Sequence, residues 1–307
     1  KSIVRAINSC LLQSYQHCEV IAINDGSTDN TGALLKSNFS NNKNIIIINK
    51  KNEGVGKARN AGLALASGDY VYFLDADDYL DENSIQLMVE AIESVHADVA
   101  ISGYKMLTGR ETMYVKPSID HDKTPLDNFI IDRIVSSPWA KLFRKSIIIE
   151  NNIEFSAHKI MEDGFFNIQY FSATRSLAIV DLPLYNYDKS LSTSTVGMNS
   201  EKLENIFSSL NAQKKMLTNI MSNKHELNRV LALFDVRILR LGIWFPLQSG
   251  CRDEQLKVKN RELMKNGILL NPCLGLHERL KIIALFMGYG YYALSVKLIE
   301  SLKKLVA

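Results

Sequence analysis

The stretch Tyr70-Val71-Tyr72-Phe73-Leu74-Asp75-Ala76-Asp77-Asp78-Tyr79 passes abruptly from apolar and aromatic side chains to a cluster of carboxylates. It reads as a buried strand that ends in an acidic loop. In an open α/β sheet, ligands gather beyond the carboxyl ends of the strands, so aspartates at that point can face a cation or a polar substrate. Asp75 and Asp77, separated by one residue, suit a hard divalent ion that also holds phosphate oxygens. For an isolated Asp-x-Asp a solvated turn before a helix cap is the commoner origin, so the rest of the chain has to decide.

Upstream, Ile3, Ile7, Cys10 and Leu11 recur at helical spacing and predict an opening amphipathic helix over 3–13. Glu19 to Ile23 alternates and runs into Asn24-Asp25-Gly26-Ser27, a strand followed by a polar turn. Asp29 caps a short helix through Leu35, and Ile45 to Ile48 is β-branched and apolar on both faces, as a central strand of a parallel sheet requires. Asn52 to Gly62 leads into a helix that ends near Ser67-Gly68, directly before the organising strand. Strand and helix therefore alternate with short links, the pattern of a doubly wound, Rossmann-like, mostly parallel sheet with helices on both faces. Downstream, Glu82 to Val95 reads as a helix and Val99 to Ser102 as a strand. Helices are expected near 126–134 and 164–172, and a strand near 177–180.

From Glu201 onward the pattern is helical, which divides the chain into an α/β catalytic domain over 1–200 and a helical C-terminal region over 201–307. The formal net charge of +3 over 307 residues is too small a surplus to argue for nucleic acid. Cys10, Cys18, Cys251 and Cys273 show no zinc spacing and read as free thiols of a reducing cytosol. The apolar run over 282–296 is shorter than the roughly twenty residues of a spanning helix. Flanked by Arg279, Lys281, Lys297, Lys303 and Lys304, it fits either a buried bundle helix or a peripheral contact with the inner face of an anionic membrane.

Asn24-Asp25-Gly26-Ser27-Thr28-Asp29, Asn52 to Gly62, Asp75-Ala76-Asp77-Asp78 and Met161-Glu162-Asp163-Gly164 stand together in one order and spacing. That series resembles the family 2 glycosyltransferases with the GT-A fold, over about residues 1 to 190. The resemblance implies inverting transfer of a sugar from a nucleoside diphosphate, UDP above all, to a hydroxyl of a glycan or lipid-linked glycan in bacterial surface-polysaccharide synthesis. It implies Asp77 as ligand of a divalent cation, Mn2+ or Mg2+, with Asp75 assisting the metal or holding the ribose. It implies Asn24, Asp25 and Arg59 at the nucleotide, with Asp25 accepting a uracil N–H, Asp163 as general base and Glu162 in support. Trp139 and Lys141, in the segment Trp139 to Arg144, resemble an acceptor or sugar platform. Members of the family begin with a β-strand ahead of the first helix, whereas this chain opens on the helix, so a first strand is expected to be missing. Tyr185 to Lys189 departs from the arginine-bearing stretch that relatives place there.

The chemistry of these groups agrees with the resemblance. A diphosphate gains charge as the glycosidic bond breaks, which a bound cation and a guanidinium can stabilise selectively. A carboxylate fixed at a helix start can accept the proton of an incoming hydroxyl. Two rivals remain at this level. A haloacid-dehalogenase-like phosphatase also places Asp-x-Asp after a strand, but it expects a hydroxyl residue two places beyond the second aspartate, where Tyr79 stands. The other rival is a catalytically silent sugar-nucleotide-binding scaffold.

Overall fold

The computed structural model describes residues 2–158, 160–190, 200–249 and 279. The chain divides into two compact units, residues 1–195 and 196–307.

In the first unit, the opening helix α1 (Ser2–Leu11) buries Ala6 and Ile7, the stripe that its periodicity predicts. Strand β1 (Val20–Asp25) pairs in parallel with β2 (Ile45–Lys50), Val20 opposite Ile45. Ala22 and Ile45 point to one face, where Ile7 joins Leu35 and Phe39 of helix α2 (Thr31–Phe39). Ile23 points the other way, toward Gly62 of helix α3 (Val55–Leu65). Helices thus cover both faces, as the alternation of side chains along a strand requires. The isoleucine strand β2 is nevertheless not central: among the described residues it pairs only with β1, and Ile46 is exposed. Its apolar run exceeds what one covered edge needs.

The organising stretch forms β3 (Tyr70–Tyr72) and, beyond the aspartates, the two-residue β4 (Tyr79–Leu80). Helix α4 (Ser84–Ser94), strands β5 (Val99–Leu107) and β6 (Thr112–Val115), and helix α5 (Pro125–Ile130) follow. Then come β7 (Lys141–Arg144), α6 (Lys145–Glu150), α7 (Glu162–Ala173) and β8 (Leu177–Asp188). The sheet order is β3-β7-β5-β8-β4, with β6 on β5. This sheet is mixed rather than mostly parallel. Only β5 and β8 run in parallel within it, because the weakly patterned segment after Gly103 returns as strands antiparallel to β3, β4 and β5. Successive residues of β7 serve opposite faces. Leu142 packs with Met88 and Ile92 of α4, and Phe143 packs edge-on against Phe166 and Tyr170 of α7.

Strands β1 and β3 start side by side because the Glu19 carboxylate accepts the backbone N–H groups of Ser67 at 2.6 Å and Gly68 at 3.0 Å. From there both run toward the aspartates, Asp25 and Asp75. Among the described residues neither edge that faces this gap has a strand partner. The gap is a cavity of about 690 Å³ lined by Ile3, Ile7, Val20, Ala22, Tyr70 and Tyr72. Unpaired strand edges beside an apolar hollow cost stability. An N-terminal extension of alternating Val and Ile that supplies a strand there should raise the melting temperature by roughly 5 to 10 °C, at about 2 to 4 °C per kcal/mol for a domain of this size. Equal melting temperatures would show that the gap accepts no strand.

The second unit contains helices α8 (Ser200–Ile220) and α9 (Lys224–Ser249), which pack on each other. Leu210 and Leu217 of α8 and Val230 and Phe234 of α9 are fully buried. No helix of the described residues is long and apolar enough to cross a membrane. The apolar run over 282–296 and most of its basic flanks lie outside the described residues.

Candidate active site

The site is built at the ends of β1 and β3 and at the starts of α3 and α7. At the end of β1, the Asn24 amide accepts the Ser27 N–H at 3.1 Å and donates to the Asn49 side chain at 2.8 Å, fixing the turn to β2. Gly26 sits at φ +69° with the Asn52 nitrogen 2.6 Å from where a Cβ would lie, so only glycine fits. Asp25 accepts the Lys50 ammonium at 2.8 Å and the N–H groups of Glu53 at 3.1 Å and Gly54 at 2.8 Å. Burial works to raise this carboxyl, but the Lys50 ammonium and the two backbone donors outweigh it and hold it below its ordinary range. The carboxylate expected at a uracil N–H is thus already holding the loop that starts α3.

Helix α3 carries Arg59 to the centre. Asn60, the next residue, donates to the Phe155 carbonyl and accepts the Phe155 N–H, both at 2.8 Å, and so clamps the helix to the segment that leads into α7. Gly56 allows the close approach, since a Cβ there would lie 2.6 Å from the Ser156 carbonyl oxygen. With α3 and α7 held together, the Arg59 guanidinium reaches Asp75 at 2.9 Å, Glu162 at 3.2 Å and, most closely, Asp163. It also lies 5.3 Å from the Phe155 ring centre. The resemblance assigns Arg59 and Asp75 to the nucleotide or metal and Asp163 and Glu162 to the proton transfer, whereas in the structure these four side chains meet one another.

Burial raises the Asp163 carboxyl to about 8, with Glu162 and Asp75 adding to the rise and Arg59 opposing it. Its position in the first turn of α7 follows from Met161, which turns the chain into the helix at φ +61°.

In the loop after β3 the aspartates divide their work. Asp78 is buried, accepts the Tyr185 hydroxyl and the Asp188 N–H, and is raised to about 6 by burial. It therefore anchors the loop to β8. Arg5 of α1 donates to the Asp77 carbonyl at 2.6 Å, pairs with Asp188 at 2.9 Å and lies 4.5 Å from the Tyr79 ring centre. The Asp77 carboxyl has no cationic partner within 4 Å among the described residues. Burial raises its proton affinity, and the charges of Asp75 and Asp188 raise it further.

No three acidic, histidine or cysteine side chains converge as a ready metal cage among the described residues. The donor set nevertheless fits a hard divalent cation. Asp77 offers a carboxylate that the charge of Arg5 offsets only in part against Asp75 and Asp188, the repulsion such an ion relieves, with Asp75 beside it and remaining positions for phosphate and water.

Two expected contacts are corrected. Trp139 is stacked between other aromatic side chains, at 4.6 Å from the ring centre of Tyr185 and 5.7 Å from that of Tyr187, and is 6% exposed. Lys141 is fully buried, and its ammonium donates to backbone carbonyls. Neither presents a surface to an acceptor: Trp139 packs on Tyr104, Tyr185 and Tyr187, and Lys141 is held by the carbonyls of Val135, Ser137 and Trp139. Arg5, Asn60 and Tyr185 were not singled out for the site. For Asn60 the available signal was its place inside the 52–62 block.

Residues 1–150 match the family model described as Glycosyl transferase family 2. The chain is 26% identical over 196 residues to the glycosyltransferase GlyA of Streptococcus pneumoniae, covering 60% of this chain and 28% of GlyA. It is 29% identical over 193 residues to the poly(ribitol-phosphate) beta-N-acetylglucosaminyltransferase TarS of Staphylococcus aureus, covering 60% of this chain and 33% of TarS. The chain thus spans about a third or less of the length of these two relatives. The crystal structure of TarS 1-349 in complex with UDP-GlcNAc superposes with a TM-score of 0.71 at 20% identity, covering 97% of this chain and 88% of that one. The α/β architecture is therefore shared with a GT-A glycosyltransferase.

Proposed function

We propose, from the premise that residues 1–150 belong to glycosyltransferase family 2, that this chain transfers a sugar from a UDP-linked donor to a hydroxyl of a glycan acceptor with inversion at the anomeric carbon. The observation that carries the reading is the convergence of Asp75, Glu162 and Asp163 on Arg59, beside an Asp77 carboxylate with no cationic group within 4 Å among the described residues. Superposition on a TarS structure that holds UDP-GlcNAc supports the donor class. The activity for which TarS is named, transfer of N-acetylglucosamine to poly(ribitol-phosphate), supports a hydroxyl-bearing polymer as the acceptor.

In this reading Asp163 accepts the proton of the acceptor hydroxyl as its oxygen attacks the anomeric carbon. The bond from that carbon to the diphosphate oxygen breaks on the opposite face, and the electron pair leaves with the nucleotide. Glu162 shares the guanidinium with Asp163 and fixes its orientation. Asn24 and Asp25 shape the end of β1 against the nucleotide, and Arg59 offers the fixed positive charge nearest the donor side. A divalent cation held by Asp77 and Asp75 would supply Lewis-acid stabilisation to the departing diphosphate. The phosphatase alternative has no use for Arg59 and Asp163, and a silent scaffold has no need of a carboxyl poised at the acceptor side.

The test is a panel of UDP-, GDP- and dTDP-linked sugars assayed with Mn2+ for nucleotide release and thermal stabilisation. The expected result is stabilisation and release for a UDP-sugar only. Stabilisation without release from any donor, with candidate polyol and glycan acceptors present, would favour the scaffold.

A further inference from the structure

We propose that Lys141 is a positioning residue for Asp163, its buried ammonium organising the loop over 135–139 that is tied through Asn167 to the first turn of α7. The inference rests on Asp163 being the base. Lys141 begins β7 and is 0% exposed, an unusual place for an ammonium, which is almost never fully buried unless it is paired. Its three donors meet three backbone carbonyls, of Ser137 at 2.6 Å, Val135 at 2.9 Å and, more loosely, Trp139 at 3.4 Å. The neutral amine carries only two donors, so this cage favours the charged form. Asn167, also fully buried, donates from one amide nitrogen to the Ser136 carbonyl at 2.7 Å and to the Asp163 carbonyl at 2.9 Å. Lys141, the loop, Asn167 and the backbone of Asp163 therefore form one continuous hydrogen-bonded chain.

A filler of the core would be apolar, because burying an ammonium costs several kcal/mol more than burying a hydrocarbon. The charge itself has a partner at a distance. Burial drives the Lys141 ammonium down to about 7, and the field of Asp163 is the one charge that opposes this. Asp163 is faced by Arg59 from α3, Glu162 from α7, Asp75 from the loop after β3 and Lys141 from β7. Lys141 thus fixes, through the loop and Asn167, where the backbone that carries the Asp163 carboxyl stands.

The test compares Lys141→Met, Lys141→Arg and Asn167→Ala in nucleotide release with acceptor present. Lys141→Met should lower kcat by about 10- to 100-fold, as a misplacement near 1 Å does, with the donor KM within about twofold of wild type. Lys141→Arg, which keeps the donors to the three carbonyls, should recover most of the lost kcat. If Lys141→Met does not fold, Asn167→Ala cuts the same chain and should lower kcat in the same way, with the donor KM again nearly unmoved. Wild-type kcat in either variant, or a donor KM that rises as steeply as kcat falls, would overturn the proposal. If Asp163→Asn is fully active, the reading of the base fails instead, which separates the two failures.

Discussion

Asp163→Asn is expected to lower sugar transfer by about three orders of magnitude, the usual loss when a positioned general base is removed. UDP affinity should stay within a few fold, because in the proposed mechanism the residue acts on the acceptor, and Arg59 keeps Asp75 and Glu162 as partners. The fold should persist, since the amide removes a charge that burial, Glu162 and Asp75 already disfavour. The same environment sets the pH dependence. A base works in its deprotonated form, and here burial favours the protonated one. Activity should therefore climb with pH through a limb lying well above the ordinary carboxylate range and toward 8 in the free enzyme. Measuring kcat/KM from pH 5 to 9 checks this. A limb near 4, or an Asn variant that loses UDP affinity as steeply as rate, would move Asp163 to the donor side.

Asp77→Asn is expected to lower transfer by roughly a thousandfold, a loss of several kcal/mol of charge stabilisation, and to abolish the response to added Mn2+. Its melting temperature without metal should equal or exceed that of the wild type. The reason is that the ionised carboxylate sits half-buried among Asp75 and Asp188, and the amide relieves that repulsion. Stability gained where activity is lost is the expected trade at a site built for binding. A folded variant with unchanged activity and metal titration would remove Asp77 from the metal.

The alternation from Val20 to Val99 was legible because each element there is short, strongly patterned and bounded by Gly, Asn or Asp. Later elements were hidden for separate physical reasons. Strand β8 contains Pro183 and the polar Asp181 and Asn186, so its unbroken apolar run ends at Val180, while the ladder to β5 continues past a register shift at Gly103. Strand β7 begins with a lysine, which any pattern reading sends to the surface; only the carbonyls of 135–139, gathered by tertiary structure, make it an interior residue. The motifs marked the site residues individually. That Arg59 would hold Asp163, 104 positions away, depended on the Asn60 clamp and on the absence of a side chain at Gly56, neither of which a motif expresses.

In the proposed mechanism one guanidinium would span both halves of the reaction, with Asp75 on one side and Asp163 on the other. As the acceptor proton reaches Asp163, that carboxylate becomes neutral at the same moment as negative charge accumulates on the departing diphosphate. The total charge facing Arg59 stays nearly constant while its centre shifts from acceptor to donor. Such a site needs no new cation and little rearrangement of its dipoles during the step, and this economy of reorganisation is what a preorganised electrostatic environment contributes to a rate.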